Sequence, residues 1–177
     1  TLTNNGGVQF VAGKIGNCAE FNGSNRFTTN LSQALGPSFS LSMWLYPTII
    51  SGYKNILTWR TGGTGSIGYN GSIYWYNDNG GFVVQSSNGI IQENNWYHIC
   101  LTCNNGAITI YVNNASVATG TDNSTRTATA LTIGAFLNGS EAIVGNLDAV
   151  GIWNRALSEQ EIQTLYNNGN GLEPEGI

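Results

Sequence analysis

The sequence predicts an all-β antiparallel sandwich that ends in one short helix. Three observations carry this. Short apolar or aromatic runs recur at intervals of about 8–12 residues, with Gly and Asn between them. Only 9% of the 177 residues are charged, 41% are hydrophobic and Gly numbers 24, a loop-rich but core-forming composition. Helical periodicity occurs in one stretch alone, near residues 158–169. The length suits a single domain, assigned here to residues 1–171, with 172–177 as a polar tail or the start of a linker.

The elements follow in order. Residues 18–21 read as a strand, Asn22-Gly23 as a turn and residues 26–28 as the return strand. Residues 39–47 alternate cleanly: Phe39, Leu41, Met43 and Leu45 make an apolar face, with Ser40, Ser42, Trp44 and Tyr46 on the other. That pattern predicts a half-buried strand, stopped by Pro47. Residues 55–59 form a short strand, and 61–65 a turn. Runs at 66–69, 72–76 and 82–85 are separated by Asn70-Gly71 and Asn79-Gly80, both hairpin signals. A longer strand spans 96–103. Asn104-Asn105-Gly106 turns it into 107–112, and Asn113-Asn114 leads to 116–118. Residues 131–134 precede the final segment.

That segment starts as a strand. Leu147, Ala149, Gly151 and Trp153 share one parity, Asp148, Val150 and Ile152 the other, which predicts cover on both faces. Ser158 and Glu161 then have capping-box spacing, and Leu157 and Ile162 occupy hydrophobic-staple positions. Ile162, Leu165 and Tyr166 form the apolar stripe, and Gly169 is the predicted left-handed terminator.

Several of these motifs together resemble the laminin-G-like and pentraxin-like branch of the concanavalin A-like lectin/glucanase superfamily. They are Phe39 to Pro47 with Trp44, Trp96-Tyr97-His98 with the Tyr111-Val112-Asn113 hairpin, and Asn154-Arg155-Ala156-Leu157-Ser158 between the last strand and the helix. Asn114 stands where that hairpin usually has Gly, and Asn tolerates positive φ. The resemblance runs from Gly13 to Gly169 and implies a jelly roll. Its motifs are structural, so they speak to fold more than to function.

Composition narrows the function. Six Lys plus Arg against ten Asp plus Glu give a net charge of −4, and without a basic run nothing favours a nucleic-acid partner. No apolar run approaches the length of a membrane span. Glycan hydrolysis needs two facing carboxylates. The close acid pairs here are Glu159/Glu161, in a helix first turn, and Glu173/Glu175, in the tail, so no strand carries a catalytic pair and an enzyme is not expected. His98, the one histidine, reads as a hydrogen-bonded structural residue. Cys100 and Cys103 lie on opposite strand faces and cannot pair with each other. A bridge from Cys18 to either, or three free thiols, both fit the spacing.

Aromatic residues give the ligand hypothesis, because sugar C–H faces stack on rings while amides and carboxylates bond the hydroxyls. Tyr74, Trp75, Tyr76, Asn77 and Asp78 cluster near a hairpin tip, and Tyr53 and Trp59 are candidates for the same region. Tyr74 and Tyr76 share a strand face and Trp75 takes the other, so one set faces a ligand and the other the core. The alternative is that all these rings fill core. The resemblance also implies one structural Ca²⁺, with Asp148 and the Asn22-Gly23 turn as ligands; Asp148 binding a neighbouring loop is the competing reading. The function expected is a non-catalytic carbohydrate-recognition or adhesion module, outside the cell or on a cell or virion surface. Its partner would be a glycan or cell-surface polysaccharide. A structural surface domain with protein contacts, on a virion or a bacterial surface, is the alternative, and a glycan-processing enzyme the third.

Overall fold

The alternation at residues 39–47 sets the centre of the molecule. A computed structural model describes residues 1–31, 34–60, 65–77, 81–124 and 129–176. The predicted turn at 61–64, and Asp78 with the Asn79-Gly80 turn, lie outside the described residues. Two seven-stranded antiparallel sheets face each other. The first runs, edge to edge, β1 (Thr3–Asn5), β4 (Arg26–Asn30), β13 (Ala130–Ile133), β6 (Lys54–Arg60), β7 (Gly65–Tyr69), β8 (Ile73–Asn77) and β9 (Gly81–Gln85). The second runs β12 (Ala115–Thr121), β11 (Ala107–Val112), β10 (Tyr97–Asn104), β5 (Phe39–Pro47), β14 (Val144–Trp153), β3 (Asn17–Asn22) and β2 (Gln9–Ala12). The sandwich is therefore as predicted, and β1 and β2 extend it before the first residue of the recognisable motif pattern.

Phe39, Leu41, Met43 and Leu45 of β5 are fully buried between the sheets. The other face of β5 is covered too, so the expectation of a half-buried strand does not hold. Helix α1 (Glu159–Tyr166) lies across it. Ser40 Oγ accepts from Leu157 N at 2.8 Å, Ser42 Oγ meets His98 Nε2 at 2.9 Å, and the Trp44 ring stacks on Tyr166. A separate apolar cluster of Cys100, Leu157, Ile162 and Leu165 seals the helix to the sheet.

The capping box at Ser158 and Glu161 forms as predicted: Glu161 N donates to Ser158 Oγ, and Ser158 N donates to Glu161 Oε2. The stop differs. The helix ends at Asn167, which adopts the left-handed conformation with φ of 48°, two residues before Gly169. Asn accepts that geometry and comes first. The predicted parity of β14 also breaks. A bulge between Asp148 and Gly151, with Ala149 at φ of 45°, adds one residue opposite β5. Leu147 and Ile152 consequently both face the main core, and Trp153 turns toward the helix.

Cys18, Cys100 and Cys103 are free and buried. Cys103 faces the main core and Cys100 the helix side, the opposite faces expected. Burial pushes the Cys100 thiol up to about 12, far from reactive thiolate character. No helix among the described residues is long and apolar enough to cross a membrane.

Candidate functional site

Register decides which aromatics meet solvent. The loop between β7 and β8 has three residues, Asn70, Gly71 and Ser72, so Tyr69 pairs with Ile73, Gly68 with Tyr74, Ile67 with Trp75 and Ser66 with Tyr76. Ile67 and Trp75 therefore point into the core, while Ser66, Gly68, Tyr74 and Tyr76 point outward. Of the two predicted sets, Tyr74 and Tyr76 take the outer face and Trp75 the inner one, with Tyr74 itself 2% exposed beneath Tyr53 and Phe82.

Three predicted ligand residues are corrected accordingly. Trp75 is 0% exposed and packs on Trp59 and Phe39 at ring separations of 5.1 and 5.6 Å. Trp59 shares that cluster and is 1% exposed. Asn77 has the parity of Trp75 and hydrogen-bonds the buried Asp122, which also accepts from Trp75 Nε1 at 2.7 Å. Burial alone would raise the Asp122 carboxyl. Hydrogen bonds from Ser124, Trp75 and Asn77 outweigh it and hold the group well below the usual carboxylate range. These residues anchor the interior end of β8.

The outward residues line a groove of about 310 Å³ on the first sheet. Tyr53, Tyr74, Tyr76 and Phe82 form one wall, and Phe136, Asn138, Ser140 and Glu141 the other, with Asn55 between them. The aromatic wall is a connected set. Phe82 stacks on Tyr53 at 5.1 Å and meets Tyr74 and Tyr76 edge-on at 5.1 and 5.6 Å. Tyr53 and Phe82 are 46% and 43% exposed, so their faces are open to a ligand. Gly68 makes room for this wall: a Cβ there would run into the Tyr74 hydroxyl and the Lys54 carbonyl. Tyr74 Oη donates to that carbonyl at 3.1 Å. Burial first, and the Glu141 charge second, raise the Tyr74 phenol above its ordinary range, so it remains a donor at neutral pH.

The polar wall is held by the loop of residues 134–143, which is pinned to β6. Gly134 N donates to Ile56 O at 2.7 Å, Asn55 N to Glu141 O at 2.9 Å, and Ile143 N closes the loop on Gly134 O at 2.9 Å. Asn138 Oδ1 accepts from Ser140 N and Oγ at 2.9 and 2.7 Å, which fixes the tip as an Asx turn. Asn55 Nδ2 donates to Glu141 Oε2 at 2.5 Å, and Asn55 Oδ1 accepts from Ser66 Oγ. Glu141 itself sits at φ of 50°, a conformation uncommon for Glu. Sequence reasoning named Tyr53, Tyr74 and Tyr76 but missed Phe82, Asn55 and the whole 136–141 wall. Phe82 was not legible, because alternation puts it on the face of the core residue Val84; a bulge, which pairs Val84 with Trp75 but Phe82 with Tyr76, turns it outward. The far wall had no local signal, because a long-range pairing brings it to β6.

The predicted calcium ligands do not come together. Asn22 pairs with Val144, four strand residues before Asp148, a separation of about 13 Å along β14. Asp148 Oδ2 accepts from Ile15 N and Oδ1 from Ala149 N, each at 2.8 Å. The backbone closes tightly there, since a Cβ at Gly13 would come within 2.5 Å of Asp148 Oδ2. Asn22 Oδ1 accepts from Ser24 N, Ser24 Oγ and Asn25 N. Asp148 and the Asn22 side chain thus lie at separate places on the second sheet, each oxygen already accepting at least one hydrogen bond, and do not form one oxygen cage. No cluster of three or more His, Cys, Asp or Glu suited to a metal occurs among the described residues.

Nor does the described groove carry a catalytic set. Glu141 is its one carboxylate among the described residues, and glycoside hydrolysis uses two. His98 is 1% exposed, lies under helix α1 and pairs with Ser42, while its Nδ1 has no partner. A Ser-His pair without an orienting carboxylate or solvent access is a structural contact.

The sandwich and its open aromatic groove define a lectin-like jelly-roll domain. A family model for laminin-G-type domains, described as the concanavalin A-like lectin/glucanases superfamily, matches residues 21–163, and the chain belongs to that superfamily. A comparison with curated proteins finds no match. Among solved structures, domain 4 of AbnA, a GH43 extracellular arabinanase from Geobacillus stearothermophilus in complex with arabinotriose, is similar. The TM-score is 0.74 at 20% identity, over 97% of this chain and 87% of that one. The binding domain of Paraclostridial Mosquitocidal Protein 1 gives 0.73 at 20% identity, over 96% of this chain and 47% of that one. The Botulinum neurotoxin serotype D ligand binding domain in complex with N-acetylneuraminic acid gives 0.71 at 16%, over 94% of this chain and 45% of that one. The chain thus spans about half of the two toxin domains. At these identities the similarity is one of fold.

Proposed function

We propose that this chain is a non-catalytic carbohydrate-recognition module, working outside the cell or at a surface, and that the groove on the first sheet is its ligand site. One observation carries this reading: two half-exposed rings, Tyr53 and Phe82, stand opposite a wall of Asn138, Ser140 and Glu141. Rings supply a stacking platform for the apolar face of a sugar, and the amide, hydroxyl and carboxylate supply hydrogen bonds to its hydroxyls. The GH43 arabinanase domain in complex with arabinotriose, similar over nearly the whole chain, supports the reading by analogy of fold.

The test is a glycan array followed by calorimetry with the wild type, Tyr76→Ala and Phe82→Ala. Binding that weakens about ten-fold or more in Phe82→Ala while the Tm holds supports the site. Failure to bind any glycan favours the second reading, a surface domain with protein contacts. That reading draws on the exposed Leu2 and Phe10, 52% and 66% accessible at the start of the chain.

A further inference from the structure

We infer that Glu141 makes the groove selective for uncharged sugars and against acidic ones such as sialic acid and uronic acids. This rests on the carbohydrate-binding reading above and adds the chemical class of its ligand.

Three observations converge on Glu141. Among the described residues it supplies the groove's one carboxylate, and none of those lining the groove is Lys or Arg. Arg26 packs its guanidinium against Gly139, between the lining residues Asn138 and Ser140. A ligand carboxylate beside Glu141 would meet a like charge, whereas sugar hydroxyls would find an acceptor. The carboxylate is also held in place: Asn55 Nδ2 grips Oε2 at 2.5 Å, and Ser66 fixes Asn55 in turn, which leaves Oε1 for a ligand hydroxyl. Finally, Glu141 occupies a left-handed backbone position, φ of 50°, where Gly or Asn would sit without strain.

The experiment measures binding of the wild type, Glu141→Gln and Glu141→Gly to matched oligosaccharides. Arabinotriose and neutral hexose trisaccharides form one set; uronic-acid trisaccharides and sialyllactose form the other. Neutral sugars are expected to bind, with acidic ones weaker by about ten-fold or more at low salt. Glu141→Gln is expected to narrow that gap by weakening the neutral set and strengthening the acidic one. Glu141→Gly sheds the backbone strain but leaves the buried Asn55 Nδ2 without its acceptor, so it is expected to lose affinity with a lower Tm; a purely structural Glu141 would lower the Tm and leave affinity unchanged. Acidic sugars binding as tightly as neutral ones, or a gap that Glu141→Gln leaves unchanged, overturns the inference while the carbohydrate reading stands. If no sugar in either set binds, the carbohydrate reading falls and this inference falls with it.

Discussion

Trp75 and Phe82 are neighbouring aromatics with opposite roles. Trp75 fills the space between Trp59 and Phe39 and donates to Asp122, so Trp75→Ala leaves both a cavity and a buried acceptor short of a donor. Urea denaturation should show a loss of about 3–5 kcal/mol. Phe82→Ala removes a half-exposed ring and should change stability by less than about 1 kcal/mol. Equal destabilisation by the two would mean that the inward and outward faces of β8 and β9 are wrongly assigned. Their roles were half legible in the sequence. Alternation separated Tyr74 and Tyr76 from Trp75, but both sets are aromatic, so hydrophobicity could not rank them. Loop length ranks them: a two-residue Asn70-Gly71 turn would pair Ile67 with Tyr74 and bury it, and the three-residue loop shifts the register by one. His98 gives a second prediction at this scale. Burial lowers its pKa from 6.5 to about 4, and Ser42, Trp44 and Tyr166, which surround the ring, place no carboxylate against it. The folded state therefore resists a proton that the unfolded chain takes up. Stability from this group is fully present above pH 6.5 and declines as pH falls toward 4, by up to about 3 kcal/mol. Melts at pH 7.5 and 4.5 should show a smaller drop for His98→Gln than for the wild type, and equal drops would remove His98 from the acid response.

Among the elements, local signals were legible and long-range ones were not. Helix α1 was read from its capping box, staple and stripe, all set by residues within one or two turns of each other. The β14 bulge was invisible because its extra residue, Ala149, is defined only against β5. The polar wall of the groove was missed for the same reason, since the loop of residues 134–143 reaches β6 through backbone bonds to Asn55 and Ile56. Strand β7 shows how one element shapes the site. Its outward residues, Ser66 and Gly68, are small because Tyr76 and Tyr74 lie beside them. Gly68→Ala should fold, but its methyl group runs into both the Lys54 backbone carbonyl and the Tyr74 hydroxyl, so β6 and the Tyr74 ring must both shift. The expected outcome is a modest loss of stability, about 1–3 kcal/mol, with a larger proportional loss of sugar affinity. A crystal structure of the variant with Tyr74 unmoved would show that Gly68 does not shape the groove.

For the whole molecule, the two-sheet architecture was readable because composition, turn residues and alternation all pointed the same way. What the sequence could not reveal is how the early loop is tied to the late strand. A bound calcium and a plain hydrogen-bonded carboxylate place the same Asp at the same position. The donors around the oxygens favour the hydrogen-bonded carboxylate. Backbone N–H groups of Ile15 and Ala149 point at Asp148, and a cation would be repelled by those hydrogens. The charge is felt locally: burial first and Asp148 second raise the Cys18 thiol. Asp148 therefore acts as a hydrogen-bonded clasp between residues 133 positions apart. Asp148→Ala should lower stability by about 1–3 kcal/mol, a drop in Tm of roughly 2–10 °C, because it leaves two part-buried N–H groups, of Ile15 and Ala149, unpaired. Chelator should leave the Tm of the wild type unchanged, since an ion bound only to the folded state would have raised it. A fall of several degrees in chelator, restored by added calcium and absent in Asp148→Ala, would show that the clasp is a metal site after all.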